Sequence, residues 1–310
     1  NLKGAYFLSK AFVSKSGKCM EESRSLMIDI LRFIGLVLIL LAHFAPNKSL
    51  LFQLRTCDVP IMVACSGMSF LYSSNNIKET KKYFAKRMLR LYLPVVVFLS
   101  LFFIIVKLNF TLQGTAFPFK GKVLGSFLLL GPTDPYTIGY LWIIRIFLLM
   151  ALIAPLLYII FLKVKKVHFL IILVGITLLY NLFLTFYTSA GLSVVHFLLS
   201  YYLFYLLGYS LPFVLGFFII KSKRAHKGYL ALVIFLILII VHIIKNPNNL
   251  YSVSFQSSKY PPMLYFIVWG CFVSSLLSFV FDGLHLSDTP LKKIIVFVSR
   301  NSMWIYFYHI

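Results

Sequence analysis

Acidic residues are the scarcest charged type in this 310-residue chain, with Asp and Glu numbering 8 against 30 Lys and Arg. Charged residues of both signs make up only 12%, where a soluble domain carries about 25%, and 60% of residues are hydrophobic. A water-soluble globular domain is thereby excluded. Cysteine is sparse as well. Cys19, Cys57, Cys65 and Cys271 form no CxxC pair and lie near no histidine at ligand spacing. That leaves no disulfide framework, zinc site or other metal centre to read. No internal repeat is visible, so the inverted-repeat pattern of many transporters is missing too.

What remains is apolar sequence in long runs. Nine stretches are long enough to be read as membrane spans. They lie near 27–44, 51–73, 88–109, 140–162, 169–187, 195–220, 229–244, 262–281 and 294–310. The expected fold is all-α, a polytopic transmembrane helix bundle of about nine to ten spans, because helices satisfy their own backbone groups in lipid. Val123 to Leu130 is apolar but too short to cross and is expected to lie in the interface or re-enter between helices. Residues 1–26 read as a basic cytoplasmic segment without the pattern of a signal peptide. Residues 27–310 read as one membrane domain, expected to be truncated at its C-terminus.

The net charge of +22 is spread in short tracts between the apolar runs. Nucleic-acid binding would gather it on one wet face, so topology and anionic lipid account for most of it. With the N-terminus in the cytoplasm, 22 of the 30 basic residues fall on the inner half. This is the orientation the positive-inside rule favours.

Against this background the polar residues inside spans stand out, since charge in hydrocarbon is costly and by default functional. The first span carries Asp29, Arg32 and His43. Eleven residues at about 100° each bring His43 back to the azimuth of Arg32, about 16 Å further along the axis. Asp29 precedes Arg32 by one turn and is placed to pair with it. Asp58, in the outer half of span two, needs a partner, and Arg55 or Arg145 is expected to supply it. Asp58 is also the carboxylate in reach of His43, because Asp29 lies about 21 Å away from it along the helix. Ser302, Tyr306 and His309 share a face of the last span and bring a second histidine to the outer half. Arg87 and Arg90, one turn apart at the inner end of span three, suit a polyanion such as phosphate. The plainer alternatives are ion pairs that only hold the bundle, interfacial histidines, and arginines that only anchor topology.

Taken in order, these residues resemble the acyltransferase-3 family of integral membrane acyltransferases. Asp29, Arg32 and His43 match the family's opening Asp-x-x-Arg and His. Val59-Pro60 with Ser66-Gly67 matches its second span. Arg87, Arg90 and Pro94 match Arg-x-x-Arg before Pro, Leu141-Trp142 matches a later Leu-Trp pair, and Ser302, Ile305-Tyr306 and His309 match its close. Phe33 replaces the expected Gly, and Val63-Ala64-Cys65 replaces the usual Phe-Phe, without removing a reactive group. The resemblance implies transfer of an acyl group, often acetyl, from cytoplasmic acyl-CoA to a hydroxyl of an extracytoplasmic glycan or lipid-linked saccharide. It implies no permanently bound cofactor, a bacterial plasma-membrane location and action on cell-envelope polysaccharide. Homodimer assembly stays open. Arg87, Arg90 and Arg32 are then candidates for holding the donor. His43, Arg32, Asp29, Asp58 and His309 are candidates for catalysis, with His43 as base or as transient acyl carrier. A transporter or flippase using the same polar track, without acyl chemistry, is the competing reading.

Overall fold

The computed structural model describes residues 26–44, 49–73, 80–117, 119, 121–130, 141–187, 198–284, 286 and 289–309. The N-terminal segment, with Cys19, and residue His285 lie outside them. Among the described residues the protein is helical, with no strand. Helix α1 occupies 26–41. A short helix α2, Leu50–Leu54, is capped by the Ser49 hydroxyl accepting from Phe52 N. It runs through a 3-10 turn, Arg55–Cys57, into α3, Asp58–Ser73. There follow α4 (Thr80–Leu112), α5 (Gly121–Leu128), α6 (Trp142–Lys163) and α7 (Lys166–Phe186). A π-turn, Leu199–Leu203, leads into α8 (Phe204–Lys221); then come α9 (Arg224–Lys245) and α10 (Leu264–Val280). The last two helices are α11 (Pro290–Arg300) and α12 (Ser302–His309).

Among the described residues each of the nine expected spans falls mainly on helix, but the first leaves helix after residue 41, so His43 sits in the turn that follows. Among the described residues six helical stretches are long and apolar enough to cross a membrane, and α1, α10 and the α11–α12 pair are shorter. The last span is not one rod. It breaks at Asn301, where the backbone leaves helical geometry between α11 and α12. The 8-residue α5 is the short apolar piece expected to lie in the interface or re-enter.

Two helices form the centre. Of their most apolar stretches, 78% in α2–α3 and 72% in α8 is buried, against 17% in α4 and in α9. The outer helices turn leucine and isoleucine outward, as with Leu101 and Ile105 of α4, where lipid replaces a protein partner. The central pair approaches closely because small residues meet there. A Cβ on Gly67 would stand 2.0 Å from the Phe213 carbonyl oxygen, and one on Gly216 would stand 2.3 Å from that of Ala64. Phe70, Phe213, Phe217 and Phe161 pack around this seam. The cysteines Cys57, Cys65 and Cys271 are buried thiols.

Candidate functional site

Helix α1 places Asp29 and Arg32 against α3 and α11. One Arg32 guanidinium nitrogen donates to Ser69 Oγ at 2.5 Å. The expected pair with Asp29 is loose, since Nη1 and Oδ1 are 3.9 Å apart. Asp29 is held more firmly by Ser299, whose hydroxyl donates to Oδ1 at 2.6 Å. Asp29 therefore fastens the broken last span to the first one as well as facing Arg32.

These residues open on a cavity of about 430 Å³. Arg87 and Arg90 of α4 line it, as does Arg300 at the end of α11. The arginines predicted to face a polyanion are thus brought together with Arg32. Arg300 joins them, a residue that the sequence pattern did not single out. Four guanidinium groups meet one carboxylate, Asp29, among the described lining. Such an excess suits phosphate oxygens, to which guanidinium can donate two parallel bonds.

A second cavity of about 210 Å³ is lined by His43, His309, Arg55, Asp58, Lys259 and Trp142. It is continuous in its walls with the first, because Ile39, Ile143 and Tyr306 line both. The histidines of the first and last spans meet here. Their Nε2 atoms are 3.3 Å apart and their rings lie edge to face at 4.9 Å. His309 Nδ1 is 2.5 Å from the Tyr306 carbonyl oxygen. A carbonyl only accepts, so His309 carries its proton on Nδ1 and, as a neutral ring, has its lone pair on Nε2. His43 then donates from Nε2, and its Nδ1 keeps the lone pair.

Asp58 has the expected Arg55 partner, with Arg55 Nη1 donating to Oδ2 at 3.0 Å. Arg145, the alternative, goes elsewhere. It donates to the Leu130 carbonyl at 2.5 Å and lies among the rings of Tyr201, Tyr202 and Tyr205. The second cation on Asp58 is Lys259, whose ammonium donates to both carboxylate oxygens at 3.0 and 3.1 Å. Oδ1 also accepts from Val59 N at 2.7 Å. Burial lowers the Lys259 pKa from its ordinary value, and Asp58 works in the opposite direction. With its oxygens committed in this way, Asp58 gives up the expected role of orienting His43, and His309 holds the position on the His43 ring. Lys259 was the missed residue here. It stands directly before Tyr260-Pro261-Pro262, the tract that ends the loop into α10, and only this proline pair offered a signal.

The geometry defines an integral membrane helix bundle with a polar track through its middle, arginine-lined at one end and histidine-lined at the other. The sequence profile of the acyltransferase-3 family, described as an acyltransferase domain, matches residues 26–310, and the chain belongs to this family. It is a membrane acyltransferase. Neither curated proteins nor solved structures give a match.

Proposed function

We propose that the protein moves an acyl group, acetyl in the simplest case, from acyl-CoA to a hydroxyl of a cell-envelope glycan or lipid-linked saccharide. The observation that carries this reading is the shared wall of the two cavities. An arginine-rich chamber suited to phosphates adjoins a histidine chamber suited to a hydroxyl, with Ile39, Ile143 and Tyr306 between them. The coenzyme's phosphates dock on Arg87, Arg90 and Arg300, and its pantetheine arm runs past Arg32 toward the second chamber. There His43 Nδ1 takes the proton of the acceptor hydroxyl as that oxygen bonds to the thioester carbonyl carbon. The tetrahedral adduct collapses, the C–S bond breaks, and the departing thiolate recovers the proton from His43. The positive-inside rule puts the arginine chamber on the cytoplasmic side, with the N-terminus, where acyl-CoA is made. We assign the protein to the bacterial plasma membrane on the same reading.

The test is calorimetric titration of the purified protein in nanodiscs with CoA. Wild type should bind, and Arg87→Glu with Arg90→Glu should lose at least tenfold in affinity while still inserting. Release of CoA from acetyl-CoA should follow the same order. Unchanged affinity in the charge-reversed variant would reduce the arginines to topology anchors and sink the donor assignment.

A further inference from the structure

We propose that the second cavity selects an acceptor carrying a negative group, a carboxylate or a phosphate, close to the hydroxyl to be acylated. This rests on the acyl-transfer reading above. The charged side chains lining that cavity are Arg55, Lys259 and Asp58. All three are almost fully buried, at 4%, 3% and 2% exposure. Asp58 accepts from both cations. Among the described residues the sum is two positive charges and one negative, an excess of one cation in a low-dielectric pocket. His43 and His309, also in the wall, add no negative charge as neutral rings.

A buried charge without a counter-ion is strongly unfavourable, so sites of this kind are built for a charge that arrives with a ligand. Other features point the same way. Both Asp58 oxygens accept from Lys259, and that carboxylate favours the ammonium form against the effect of burial. Arg55 uses Nη1 on Asp58, while its buried Nε has no hydrogen-bond partner. Trp142 and Tyr260, which also line the cavity, meet edge to face at 5.1 Å, and Lys259 lies 5.8 Å from each ring centre. Those rings offer an apolar wall beside the excess charge, a combination that suits a charged sugar or polyol better than a neutral one. The group that supplies the negative charge need not be the one that reacts. The hydroxyl must only reach His43 across a cavity that both share.

Matched probes test this in the purified full chain with saturating CoA present. Methyl glucuronide is compared with methyl glucoside, and glycerol 3-phosphate with glycerol. Dissociation constants are read by saturation-transfer NMR. The charged member of at least one pair should bind at least tenfold more tightly than its neutral counterpart. The pair that responds distinguishes carboxylate from phosphate. Arg55→Gln and Lys259→Met each remove the excess charge, and each should bring the ratio to about one. Two variants guard against one that fails to fold, and Lys259→Arg should keep the preference. Equal binding of charged and neutral probes by wild type, or no binding of any, overturns the proposal. So does a preference that survives in both charge-removing variants. A turnover defect in those variants without any charge preference would assign the cations to the reaction's oxyanion instead, which also overturns it. CoA binding, measured in the same samples, reports separately on the donor reading.

Discussion

At the residue scale the histidine pair carries the sharpest consequence. If His309 serves His43 by accepting its Nε2 proton, the residue at 309 needs an acceptor at that point and little else. Gln places a carbonyl oxygen near the position of an imidazole Nε2, whereas Ala places nothing there. His43→Ala should cut transfer about 10²- to 10⁴-fold, the range for a lost general base, with CoA affinity nearly unchanged. His309→Ala should fall well short of that loss, and His309→Gln should recover most of its deficit. Acyl transfer by the three variants at saturating acetyl-CoA measures this. An inactive His309→Ala beside an active His43→Ala would move the base to α12. Asp29 behaves differently from what its sequence neighbours suggest. Its firm contact is Ser299 and its Arg32 contact is long. Asp29→Asn retains an oxygen for Ser299 and should lose about 1 kcal/mol or less. Both substitutions remove the distant charge facing Arg32, but Asp29→Leu also strands the Ser299 hydroxyl and should cost about 3 kcal/mol. Thermal unfolding of the two variants in the same detergent checks the order, and equal melting points would show that Ser299 does not depend on the carboxylate.

At the scale of elements, the helices were legible and their meetings were not. An apolar run long enough to cross a membrane announces itself in composition, and so does a charge within one. Asp29, Arg32 and His43 could therefore be read as a stripe from spacing alone. Long-range partnerships left no such trace. Asp58 and Lys259 are separated by 201 positions and Asp29 and Ser299 by 270, and a one-dimensional pattern does not say which spans are neighbours. The break at Asn301 was hidden for another reason, since the flanking sequence is apolar enough to read as one continuous span. The Ser66-Gly67 pair was legible as a family motif, but not as the place where α3 meets a particular helix. That helix is α8. A side chain at 67 meets the Phe213 carbonyl, which is backbone and cannot step aside. Gly67→Val should therefore push α3 from α8 and cost about 1–3 kcal/mol or more. The loss should show as a lower melting temperature and lower yield of folded protein. A native melting temperature for Gly67→Val would mean that the two central helices can separate without penalty.

At the scale of the whole molecule, the fold gathers two sets of side chains into two cavities that share the wall residues Ile39, Ile143 and Tyr306. The arginines come from α1, α4 and α11, and the histidines from the chain just beyond α1 and from α12. Both sets draw on the first span and the broken last one, with α4 adding Arg87 and Arg90 to the arginine set. The two chambers share only a narrow set of wall residues, and that makes passage between them testable without touching either set of side chains. Ile143 is buried at 6% exposure and lies in the wall of both cavities. Ile143→Phe adds volume where the reactive arm of a donor must pass, while leaving Arg87, Arg90 and His43 unchanged. If the donor binds in the first chamber and reacts in the second, phosphate docking should survive and the thioester should be held short of His43. Misplacement of about 1 Å is enough to cost about 10²-fold. The expected outcome is CoA affinity within about threefold of wild type and transfer reduced at least about a hundredfold. Ile143→Val, which opens the wall, should retain transfer and report on any loss from packing alone. Were Ile143→Phe to transfer at the wild-type rate with a native melting temperature, the donor could not be crossing between the chambers, and the two cavities would have to serve separate purposes.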